Sequence, residues 1–178
     1  MKRCVVVLLC MWMCPLAFSG ESRSIPGWAP FKFGQTLAQA QASAGPRAQK
    51  SESGIKLEVE IDGQPFSIEA LTGSASAKPI NRITLEPVAA ESVNSEKACD
   101  QLFESLAEMI STRFGKSVTP TSAFEDLTIA GWTQQWLMKD QSRATLDVTF
   151  QRQVQTTRQA CSARIDLYPG KNPAAAKK

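Results

Sequence analysis

Ile55, Leu57, Val59 and Ile61 alternate with Lys56, Glu58 and Glu60; after Asp62-Gly63, Phe66, Ile68 and Ala70 alternate with Ser67 and Glu69. Period-two alternation sends one set of side chains to each face of a strand, and Asp-Gly is a favoured two-residue hairpin turn. A loop of Asp62-Gly63 pairs Ile61 with Gln64, so Val59 meets Phe66, Leu57 meets Ile68 and Lys56 meets Glu69. Apolar residues then oppose apolar ones, and the lysine opposes a glutamate. A slip of one residue would undo both. The segment dictates an antiparallel hairpin with one dry and one wet face, and the fold must supply a cover for the dry face.

Further alternating runs follow. Ile80 to Leu85 reads as a short strand, and Leu127 to Met138 as a strand region with a bulge at Gly131. Beyond a turn at Lys139 to Ser142, Ala144, Leu146, Val148 and Phe150 form one apolar set, and Cys161, Ala163, Ile165 and Leu167 another. Residues 73–79, 86–94 and 118–126 read as loops or connectors. Two helices are expected. Thr36-Leu37-Ala38-Gln39 fits a capping box that opens a short helix ending at Gly45-Pro46. Ser95 caps a longer one, whose apolar stripe of Cys99, Leu102, Phe103, Leu106, Ile110 and Phe114 ends before Gly115. Polar outer faces on the strands argue against a parallel sheet, which would be apolar on both sides. The expected fold is α+β: a mostly antiparallel sheet of about six strands, one long helix packed on one face, a short N-terminal helix and one disulfide. No sequence repeat stands out, although helix-then-strands occurs twice.

The first nineteen residues read as a secretory signal sequence. Lys2 and Arg3 precede a charge-free apolar run from Cys4 to Phe18, and Ala17-Phe18-Ser19 offers small residues where a signal peptidase cuts. The run is too short for a membrane span. Leu9 before Cys10 and Met13 before Cys14 do not suit a lipidation site, so release to the periplasm or exterior is expected. Cleavage would leave an entry segment over residues 20–34, with Trp28, Phe31 and Phe33 as anchors. One domain over 35–168 and a loose tail over 169–178 would follow. It would also leave 18 basic residues against 17 acidic. Near-balanced charge gives no electrostatic reason to bind nucleic acid or an acidic membrane.

Cys99 and Cys161 are the cysteines beyond the signal run, one on the apolar stripe of the long helix and one on the inward face of the last strand. In an oxidising compartment they read as a disulfide joining helix to sheet. A redox pair is disfavoured, since such thiols sit close together at a helix start and these are 62 residues apart.

The chain contains no histidine. Ser-His-Asp and Cys-His catalysis and histidine-ligated metal centres are therefore excluded. No glycine-rich phosphate loop and no nucleophile elbow occur. No catalytic residue, metal site or cofactor is expected. The adjacent carboxylates Glu125 and Asp126 are the residue types of a two-carboxylate hydrolase, and equally of a solvated turn. Glu58, Glu60 and Glu69 would lie on the wet face, interleaved with Lys56. Trp132, Gln134 and Trp136 share one strand face, the tryptophans about 13 Å apart. Facing outward they form an aromatic recognition strip; facing inward they are core. Ala130 and Met138 at the same parity favour core, and Gln134 sits awkwardly there.

Pro30 through Ala40, with Phe33-Gly34-Gln35-Thr36 turning into a capped helix, resembles the opening of small bacterial envelope proteins. The resemblance is to the β-lactamase-inhibitor-protein and outer-membrane-assembly-accessory type. It implies helices covering an antiparallel sheet, and a non-enzymatic role in binding another protein. The chain departs from that type in its long second helix and in lacking a lipidation cysteine. The expected function is thus that of an exported binding domain, an envelope accessory factor or inhibitor with a protein partner. The alternative is a small glycan- or apolar-ligand module using Trp132 and Trp136.

Overall fold

A computed structural model describes residues 24–51, 54–73, 78–117, 119–152 and 160–171. The signal run and the end of the C-terminal tail lie outside them. The chain opens with a two-stranded ribbon, β1 (Gly27–Trp28) and β2 (Phe31–Lys32), followed by helix α1 (Leu37–Ala44). Four strands come next: β3 (Gln49–Lys50), β4 (Gly54–Ile61), β5 (Gln64–Thr72) and β6 (Ile80–Pro87). A 3-10 turn at Val88–Ser92 leads to helix α2 (Glu96–Phe114). The last four strands are β7 (Ser122–Glu125), β8 (Ile129–Leu137), β9 (Arg143–Gln151) and β10 (Ala160–Tyr168).

The strands β3 to β10 form one sheet of order β3-β4-β5-β6-β10-β9-β8-β7, antiparallel throughout. This corrects the expectation of about six strands. Three additions account for the difference. The entry segment contains a ribbon, two residues before β4 pair with it, and β7 occupies the stretch read as a loop at 118–126. None of these segments has the length for alternation to register, and β7 is exposed along its whole length. The broad class remains α+β, with two helices on one side of the sheet.

The order has an internal symmetry. Helix α1 is followed by the meander β3-β4-β5-β6, and α2 by the meander β7-β8-β9-β10. The last strands of the two meanders, β6 and β10, pair antiparallel at the centre, with Ile165 opposite Leu85 and Leu167 opposite Ile83. Read from either edge, the sheet presents the same sequence of elements.

Local chemistry explains the elements. The β4–β5 hairpin keeps the register set by its pattern, from Ile61 opposite Gln64 through Lys56 opposite Glu69. Asp62 and Gly63 both take positive φ, 50° and 79°, as this two-residue turn requires. Helix α1 begins with a capping box in which the Gln39 N–H donates to Thr36 Oγ1 and the Thr36 N–H donates to Gln39 Oε1. Ser95 Oγ accepts from the Ala98 N–H at the start of α2, and Gly115 ends it. Gly131 is no bulge, since β8 pairs continuously through it with both neighbours. A Cβ there would lie 2.3 Å from the Phe124 ring, so glycine is what lets the aromatic ring of β7 lie flat on the sheet.

The core lies between the sheet and the helical layer. From the sheet it takes Ile55, Leu57, Phe66, Ile68, Ile83, Leu85, Leu146, Val148, Phe150, Ile165 and Leu167; from α2 it takes Phe103, Leu106, Ile110 and Phe114. The entry segment packs into it, with Phe31 fully buried and Trp28 edge-on to Phe114 at 6.0 Å. Ser142, also fully buried, anchors the segment by accepting the Ile25 N–H while donating to Asp140. Lys171, within the stretch read as a loose tail, donates its N–H to the Asp140 carbonyl.

Candidate functional site

Trp132, Gln134 and Trp136 point toward α2, not to solvent. Trp136 has no exposed surface, and its indole N–H donates to Ser111 Oγ of α2 at 3.2 Å. Trp132 is half-buried and packs against Phe103 of α2, ring centroids 6.5 Å apart. Gln134 is half-buried between them. A helix thus lies across the strip, and Trp136 cannot reach a ligand without α2 leaving the sheet.

Cys99 and Cys161 form a disulfide, both side chains buried, Cα atoms 5.8 Å apart. It fixes the first turns of α2 to the start of β10, beside the central seam. The Cys161 N–H also donates to the Val93 carbonyl in the segment leading into α2. The bond therefore sets where the helix crosses the sheet.

Glu125 and Asp126 are both engaged locally. Asp126 Oδ1 accepts the Thr128 N–H at 2.6 Å, the Ile129 N–H at 2.7 Å and the Thr128 hydroxyl at 2.9 Å. Those hydrogen bonds, from the two backbone amides first, hold its carboxyl below the ordinary aspartate range, so it stays ionised and closes the β7–β8 turn. Glu125 pairs with Arg152 at 2.7 Å, and Arg152 also grips Glu96 at the start of α2. The arginine holds the last turn of the sheet edge to the helix. A carboxylate kept ionised is no proton donor near neutrality. Among the described residues no group of three acidic or sulfur side chains comes together as a metal site.

Among the described residues no element covers the opposite side of the sheet. There Thr84, Thr133, Thr145, Asp147, Thr149, Ser162 and Asp166 stand in rows, and all but Thr145 are joined in hydrogen-bonded pairs. The Thr84 hydroxyl donates to Asp166 at 2.6 Å, the Thr133 hydroxyl donates to Asp147 at 2.8 Å, and Thr149 and Ser162 share a hydrogen bond at 2.6 Å. Arg164 adds an ion pair to Asp166 at 3.1 Å. Such cross-strand networks fix short polar side chains in place and leave little rotamer freedom to lose on contact. Glu58 and Glu60 are exposed on the same face, and Glu69 is half-buried.

Sequence reasoning missed this surface because it looked for reactive groups. The available signal was the outer half of each alternation: Thr145, Asp147 and Thr149 in β9, Ser162, Arg164 and Asp166 in β10. Edge strands are managed too. Beyond β7, the Gln135 carbonyl of β8 accepts the Ser117 and Thr119 hydroxyls, and the Gln135 N–H donates to Thr119 Oγ1. Side chains thereby take the place of a strand and blunt the edge. Among the described residues no helix is long and apolar enough to cross a membrane. The chain matches no protein-family model, no curated protein and no solved structure.

Proposed function

We propose that this is an exported, non-catalytic domain that binds a protein partner through the uncovered face of its sheet, as an envelope accessory factor or inhibitor. The observation that carries the reading is the size and finish of that face. Its six long strands, each about 4.8 Å wide and about 26 Å long, cover roughly 750 Å², to which the short β3 and β7 add a little. A standard protein–protein interface takes about 800 Å² from each partner. The face is broad, mostly polar and internally hydrogen-bonded, with Phe124 and Leu137 exposed on it, which suits a protein surface better than a small molecule seeking a concave site. The apolar N-terminal run and the buried disulfide support an oxidising destination outside the cytoplasm. The ligand-strip alternative loses its footing, because it relied on Trp132 and Trp136 facing outward.

A photo-crosslinking residue placed at Thr133 or Thr145, on the bare face, is expected to give one covalent protein adduct in the cell envelope. The same residue at Glu104, on the solvent side of α2, is expected to give none. Adducts from Glu104 alone, or from no position, would refute the reading.

A further inference from the structure

The bare face is not electrically uniform. In the register of the sheet, Arg143 of β9 stands opposite Tyr168 of β10 and also opposite Leu137 of β8; Arg82 of β6, one step beyond the Ile83–Leu167 pair, flanks Tyr168 on its other side. Two arginines therefore bracket one tyrosine across three adjacent strands, their backbones about 10 Å apart. The Arg143 guanidinium lies on the Tyr168 ring, 4.3 Å from its centroid. Stacking of this kind holds the guanidinium plane while leaving its N–H edge outward for a carboxylate.

Elsewhere on the face Arg164 pairs with Asp166, and the Asp147 carboxylate accepts from the Thr133 hydroxyl. Neither Arg82 nor Arg143 has an ion pair or side-chain hydrogen bond among the described residues. Lys78, exposed before β6, and Lys171, exposed after β10, add positive charge at the same end of the strands. The exposed acids Glu58, Glu60 and Glu86 lie toward the other end, where the β4–β5 turn and the end of β6 meet.

Taking the docking face of the preceding section as given, we infer that its basic end, built on Arg82, Tyr168 and Arg143, seats an acidic segment of the partner protein, one carboxylate to each guanidinium. The arrangement commits two fixed donors to a carboxylate pair and fixes the partner's orientation, because the opposite end of the face would repel the same segment.

A fluorescent ten-residue Asp/Glu peptide, titrated against the oxidised chain and followed by anisotropy, tests this. Binding is expected in low salt and is weakened as salt screens the pair. Arg82→Gln/Arg143→Gln should weaken it about tenfold or more, with an unchanged melting temperature, whereas Lys78→Gln/Lys171→Gln should weaken it about threefold or less. No binding, or equal losses from the two double variants, would overturn the inference. So would concentration-dependent dimerisation that Arg82→Gln/Arg143→Gln abolishes, which would make the occupant a second copy. Photo-adducts from Thr133 that persist when the acidic peptide does not bind would remove the acidic anchor and leave the docking face standing. Loss of adducts as well would remove both.

Discussion

The two halves of the sheet follow the same order, yet they are covered differently. In the second half α2 runs 19 residues, buries Cys99, Phe103, Leu106, Ile110 and Phe114, and is bonded covalently to β10. In the first half α1 runs eight residues and fully buries only Ala40. An isolated helix of that length has no stability of its own in water. The first half makes up the shortfall with the entry ribbon, which lies against β6. Gly34 donates its N–H to the Ile80 carbonyl, Ile80 donates to Gln35, and a Cβ on Gly27 would come within 3.3 Å of Ile83 Cδ1. The covers meet along a groove of about 510 Å³ lined by Trp28, Ile61, Phe66, Leu106 and Met109, where Arg113 lies 4.0 Å over the Trp28 ring. A repeated strand order thus demands a cover, but leaves open what kind.

If the second half relies on its covalent tie and the first on packing alone, their responses should separate. The largest effect belongs to Cys99→Ala/Cys161→Ala, or to reduction, which should cost about 4 kcal/mol for a loop of this length. Chemical denaturation would measure it, and amide exchange should rise first in α2. A loss confined to α1 would reverse the comparison. Thr36→Ala should cost about 1 kcal/mol by removing the capping box. In so short a helix the result should be fraying of α1, visible as fast exchange at Ala40 and Gln41 while α2 stays protected.

The smallest effect concerns Asp126. Its folded carboxyl titrates below the ordinary value of 3.8. Its contribution is therefore present above the unfolded value and lost as pH falls through the lower folded one. Amide resonances of Thr128 and Ile129 should hold at mildly acidic pH and shift only below about 3.8, with the rest of the sheet following later. Asp126→Asn should remove that transition. A transition centred above the ordinary value would contradict the hydrogen bonding.

Much of the fold was legible because it rests on local rules. The β4–β5 register and the Thr36 and Ser95 caps follow from spacing and side-chain type alone, whereas the parity of Trp132 and Trp136 left core and surface both open. The short pieces were not legible. β3 and β7 are strands only because β4 and β8 offer them an edge, and Phe124 finds its place only because Gly131 lies beneath it. The candidate surface was half visible. Which residues face outward is read from parity, but that Arg82, Tyr168 and Arg143 stand in one row depends on β10 pairing both with β9 and with the much earlier β6.

The sequence by itself determined the alternating strands, the two capped helices, the absence of imidazole chemistry and the cysteines available to pair. Periodicity, capping and residue type act over a few positions and leave their mark in order along the chain. The tertiary structure alone decided that two meanders join at β6 and β10, that α2 crosses Trp132 and Trp136, and that no described element covers the other face. Those outcomes depend on which apolar surface finds which cover, a choice made by burial across the whole chain.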